Sequence, residues 1–271
     1  MKWHHLCLLF LGFLMLAALL SGFFPNSEVQ TMQTLLSPSW EHWFGTDSLG
    51  RDLFFRVLEG SRVSLLLGIL TTLGSFAIGI SYALLAYRLG GWRDQLLMRL
   101  VEVLIGLPSI ILIAVLVLLF SNIWVERHFL SQLLILGLAI TLTSWMWIAR
   151  QVRTWIEAVS KQSFIEAERA LGASWWRIAT RHILPNLTGT LLVFLGLQIP
   201  QHLLFESFLS FVGIGIQPPM ASWGILIQEG WKTLSVYPHL ILLPSGVLFL
   251  TVFSFNVVFE SFRETLDPRM K

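Results

Sequence analysis

The residues of this chain that could do chemistry are few. Glu206 stands within LLFESFLS, the single acidic side chain of the apolar run Leu187–Ile216. An ionisable group at membrane depth is costly and faces a cavity or a partner. Two readings stay open: a pathway carboxylate meeting a substrate ammonium or a metal, or a carboxylate bonded to Ser207, Ser210 or a neighbouring helix or lying near the outer interface, with the second carrying more weight. Arg51, Asp52, Arg56 and Arg62 form a second group. With Asp47 they read as a packed ionic network rather than as solvated charge or a docking face. His4, His5 and Cys7 lack the spacing of a known ligand set, so no metal site is expected. G-x-x-x-x-G-K-[ST] occurs nowhere. The nearest approach, Gly230-Trp231-Lys232-Thr233, has the wrong spacing, so the chain carries no phosphate cradle, hydrolyses no ATP and binds no cofactor. No catalytic residue is expected.

The elements that position these groups are membrane spans. Of 271 residues 55% are hydrophobic and only 13% are charged, against about a quarter charged in a soluble domain. A net charge of +2 gives no footing for a nucleic acid, and one cysteine permits no intrachain disulfide. Uncharged runs at Leu6–Phe24, Leu65–Tyr87, Val103–Val125, Phe129–Ala149 and Tyr237–Phe259, together with Leu187–Ile216, predict six spans in lipid and an all-α fold. The first run exceeds a signal-peptide core and reads as an uncleaved anchor. Pro25–Ser61 is polar and turn-rich. With the N-terminus inside, only Arg51, Arg56, Arg62, Arg127 and Lys232 of the 18 basic residues fall outside. Both termini are therefore expected in the cytoplasm. Trp3, Trp124, Trp223 and Trp231 read as interfacial anchors, and Arg99 with Glu102 as an ion pair at the start of a third span that Pro108 bends.

This orientation puts 151–186 in the cytoplasm, and its polar core, Ser163–Pro185, reads as two short helices. Ser163 and Glu166 have capping-box spacing. Phe164, Ala167 and Leu171 share one face. Gly172 suits a left-handed turn. Ser174 can cap a second helix bearing Trp175, Trp176, Ile178 and Ile183, limited by Pro185. Helices this short need a surface to lie against.

Glu166-Ala167-Glu168, then Gly172, then Leu184-Pro185 at the end of HILP, resembles the EAA loop of ATP-binding-cassette (ABC) importer permeases. Glu168 stands where that family usually has Ala, and His182 where it often has Ile. Gly45-Thr46-Asp47, with Gly50-Arg51-Asp52 and on to Ser64, resembles the segment before the second span in dipeptide, oligopeptide and nickel permeases. So do SFVGIG at 210–215, QPP at 217–219, SWG at 222–224 and LDPR at 266–269.

The resemblance implies a permease subunit in the cell inner membrane with a type I importer fold. It also implies a second, homologous permease subunit, two cytoplasmic ATPase subunits and an external solute-binding protein. It names Glu166, Ala167, Glu168, Gly172, Leu184 and Pro185 as the ATPase-coupling loop. Di- or oligopeptides are the expected cargo, nickel or a metal chelate the alternative, and a secondary transporter is less favoured for want of an inverted repeat. The expected division is residues 1–60 as anchor and external segment, and 61–271 as the core.

Overall fold

The computed structural model describes residues 3–23, 33–123 and 129–266. Ten α-helices carry them: α1 (Trp3–Leu20), α2 (Leu53–Leu89), α3 (Gly91–Ile105), α4 (Ser109–Ile123), α5 (Phe129–Ser160), α6 (Ser163–Ala170), α7 (Trp175–Ile178), α8 (Leu184–Val212), α9 (Trp223–Trp231) and α10 (His239–Leu266). Among the described residues the only β contact is an isolated antiparallel bridge between Thr46 and Asp52. Trp124, expected as an anchor, and 267–269 of the terminal motif lie outside the described residues.

The bundle is built on α2, which packs against α1, α5 and α8. It begins well before the apolar run because Asp52 caps it, accepting from the backbone N–H of Phe54 at 2.8 Å. A boundary at residue 60 thus falls inside α2. Small residues let its neighbours close in: a Cβ at Gly68 would come within 2.6 Å of Leu203 on α8, and one at Gly79 within 2.8 Å of Ile148 on α5. The N-terminal helix is part of the bundle, since Cys7, Leu11, Leu14 and Ala18 share a core with Leu203, Leu248 and Phe255. Phe13, Leu118 and Phe249 point outward on α1, α4 and α10, as lipid-facing surfaces require.

The third span bends at Pro108 as expected, and the bend is a full corner. It is two helices, α3 and α4, bent by 89° at Gly106-Leu107-Pro108. Pro108 has no N–H to give and biases Leu107 away from helix. Arg99 and Glu102 are both exposed, and no ion pair joins them among the described residues. The tie that holds α3 is instead at its first turn, where Arg153 Nε of α5 donates to Asp94 at 3.0 Å, a pair that 59 residues of sequence separate. Trp223 is also corrected: it is fully buried at the start of α9, and its Nε1 donates to Ser61 Oγ at 3.1 Å. Trp3 and Trp231 are exposed.

Candidate functional site

At the α6 end of the bundle, the chain leaves α5 at Ser160 and turns into α6. Gln162 occupies the cap position without a side-chain bond, and its carbonyl accepts from Ile165 N–H and Glu166 N–H. The helix therefore starts one residue earlier than the Ser163–Glu166 pattern predicts, and no capping box forms. Its C-terminus is a Schellman turn: Gly172 N–H donates to Arg169 O and Ala173 N–H to Glu168 O, each at 3.0 Å. Gly172 stands at φ +79°, where a side chain is disfavoured. Ser174 then caps α7, accepting from Arg177 N–H at 3.3 Å.

The second short helix does not stop at Pro185. α7 runs through a π-helical turn, Ala179–Ile183, directly into α8. Leu184 N–H donates to Ala179 O, five residues back. A widened turn of this kind accommodates a proline, which brings no N–H and a bulky ring to the helix interior.

The loop is anchored to the bundle on one side only. Ile165 is fully buried and joins Val152, Ile156, Ile178 and Ile183 in one core cluster. Arg169 donates to the Tyr87 hydroxyl at the end of α2. Phe164, Ala167 and Leu171, which the spacing predicts on one face, are all exposed; Leu171 is 83% exposed. The two residues that depart from the EAA pattern meet each other, with His182 Nε2 lying 3.4 Å from Glu168 Oε1 and Arg177 Nε 3.9 Å from Glu168 Oε2.

At the opposite end the structure gathers the external signature residues. Arg51 Nε donates to Asp47 at 2.7 Å and Arg56 Nη1 to the same carboxylate at 2.9 Å. Glu229 of α9 accepts from Arg56. Arg56 is 1% exposed. Thr46 ties this segment back, its hydroxyl donating to Gln33 O and accepting from Leu36 N–H. Gly45 and Gly50 hold positive φ in the same turns. The expected ionic packing holds for Asp47, Arg51 and Arg56. Asp52 instead meets His42 Nδ1 at 2.8 Å, and Arg62 is exposed, with no ion pair among the described residues. Glu229 was not foreseen, because 173 residues separate it from Arg56.

Glu206 is fully buried. Ser64 and Ser210 donate to its carboxylate at 2.8 Å each, and Ser64 also accepts from Trp223 N–H. The bonded reading describes this geometry. A cavity of about 610 Å³ opens elsewhere, between the α3–α4 corner, the middle of α5 and the middle of α8, and Glu206 does not line it. Its neighbours in sequence, His202 and Phe205, do.

The description "Binding-protein-dependent transport system inner membrane component" matches residues 75–271. The chain belongs to this family. Among relatives of this permease, the oligopeptide transport system permease protein OppC of Bacillus subtilis is 32% identical over 97% of this chain and 85% of its own. The dipeptide transport system permease protein DppC of the same organism is 37% identical over 97% and 81%, and OppC of Escherichia coli K12 is 38% identical over 95% and 82%. Two solved structures share the fold, each over 78% of the permease. The crystal structure of an amino acid ABC transporter with histidines gives a TM-score of 0.59 at 20% identity, covering 94% of that chain. An inward-facing MetNI methionine ABC transporter gives 0.62 at 18%, covering 97%. The fold is that of an ABC importer permease, a multi-pass transport subunit of the inner membrane rather than an enzyme.

Proposed function

We propose that this permease moves di- and oligopeptides across the inner membrane, together with a second, homologous permease subunit, two cytoplasmic ATPase subunits and an external solute-binding protein. The peptide cargo rests on what the relatives are named for. The need for ATPase partners rests on the absence of any phosphate loop in the sequence and on one observation above all: the exposed face of α6.

A two-turn helix does not hold itself in water. Here Ile165 and the Schellman turn fix it from one side while Phe164, Ala167 and Leu171 are left uncovered. Glu166 on the same helix is exposed and its carboxylate makes no bond within the described residues. This is the surface of an element that docks. In this reading the ATPase subunit covers the face, and Gly172 with the continuous α7–α8 rod passes its movement to the span, shifting inward- and outward-open populations. Leu184 and Pro185 form the root of that rod. In place of a division at residue 60, α1 and the external segment that ends at Asp52 join the core that begins with α2. Asp47, Arg51 and Asp52 hold that segment over the outer mouth, and Glu206 pins α2, α8 and α9 together there.

The test is reconstitution of the assembled complex in proteoliposomes, with ATPase turnover measured against binding protein loaded with peptide or with nickel. Stimulation by the peptide-loaded form alone is expected. Stimulation by the nickel-loaded form alone contradicts the peptide reading.

A further inference from the structure

The wall of the cavity has a chemical character of its own. Among the described residues no Asp, Glu, Lys or Arg lines it. Its α8 side is a stripe in which Gln198 and Gln201 lie between Phe194 and Phe205, at the four- and three-residue steps of one helix face. Across from it α5 presents Trp147 and Gln151. The side chains of Gln151, Gln198 and Gln201 make no hydrogen bond among the described residues. Elsewhere the pattern is mixed: Gln132 accepts from Gln217 N–H at 2.9 Å, and Gln217 and Gln228 donate to backbone carbonyls at 2.9 and 2.8 Å, while Gln162 at the start of α6 makes no side-chain bond. What sets the three apart is that their open amides face one cavity from two helices.

We infer that the Gln198–Gln201 amide stripe, with Gln151 opposite, makes this half of the pathway read the backbone of a peptide and ignore the charge of its side chains. The inference rests on the peptide reading of the preceding section. A glutamine amide offers both a donor and an acceptor, and every peptide residue other than proline presents one of each. Any sequence can therefore satisfy it. The flanking rings accept side chains of any size as apolar surface. A fixed charge in a wall of lowered dielectric would discriminate strongly between anionic and cationic cargo, and the described lining holds His202 but no carboxylate, lysine or arginine. The cavity volume lies within the roughly 300–1,000 Å³ usual for small-ligand sites.

The experiment uses the assembled complex in proteoliposomes with saturating loaded binding protein. It compares uptake of three alanine-based tripeptides carrying Glu, Gln or Lys at the central position. Wild type is expected to take up all three within about threefold of one another. Gln201→Glu is expected to lower the ratio of anionic to cationic uptake by about tenfold, and Gln201→Lys to raise it by a similar factor. Misfolding cannot produce opposite signs at one position. Gln198→Leu with Gln201→Leu is expected to lower uptake of all three alike, about tenfold for two lost hydrogen bonds. Wild-type uptake with charge ratios unmoved by both Gln201 variants overturns the inference and leaves the peptide reading standing. A complex that takes up none of the three overturns both.

Discussion

Gly172 is the residue at which backbone conformation meets the proposed coupling role. Its φ of +79° closes the Schellman turn, and a Cβ there would touch nothing within 4 Å. A substitution is therefore opposed by backbone strain alone, about 1–2 kcal/mol for an ordinary side chain and most for a β-branched one. Gly172→Val is expected to leave complex yield near wild type while uptake per ATP falls severalfold. Uptake and yield both at wild-type level would remove the turn from the coupling mechanism. The conformation could be read from the sequence, because Gly172 closes a short amphipathic run. Glu206 was less legible. Ser207 and Ser210 lie within one helical turn of it, so a bonded carboxylate could be weighed, but Ser64 comes from a helix 142 residues away. Trp223 misled for a similar reason: a tryptophan at a span end and a tryptophan buried on Ser61 look alike until the helices are packed.

At the scale of elements, the coupling loop joins two pieces that the sequence separates. Glu168 on α6 and His182 in the π-helical turn touch at 3.4 Å, and both are partly exposed, so the contact is worth roughly 0.3–1 kcal/mol. Glu168→Ala and His182→Ile, singly and together, form a double-mutant cycle on the thermal stability of the complex. Non-additivity of about that size is expected, and strictly additive losses would mean that the contact holds nothing. The two residues were visible in the sequence as departures from a pattern, but their meeting was not, since it depends on how far the Gly172 turn folds α7 back. The boundaries failed where hydropathy averages over geometry. Val103–Val125 is one apolar run, yet Pro108 breaks it into a corner, and α4 with 15 residues is only about 22 Å long. Pro185 misled in the opposite direction, because a proline that usually ends a helix is absorbed by a π turn.

At the scale of the molecule, the permease is a bundle with two specialised ends and a cavity between. The ionic end is built from residues with visible charge, which is why Asp47, Arg51 and Arg56 could be grouped in advance while their partner Glu229 could not. The cavity was not legible at all: Gln151, Gln198 and Gln201 are neutral, scattered over two helices, and acquire meaning only when α5 and α8 face each other. The central claim concerns the other end, where an exposed face waits for a partner. Cys7, the one native cysteine, is buried, so a cysteine introduced at Leu171 is the principal site for a soluble maleimide. The most direct test is the labelling rate of Leu171→Cys in the permease pair alone and in the complex with its ATPase subunits. The account expects rapid labelling of the pair and at least tenfold protection in the complex. Equal labelling in both would contradict it.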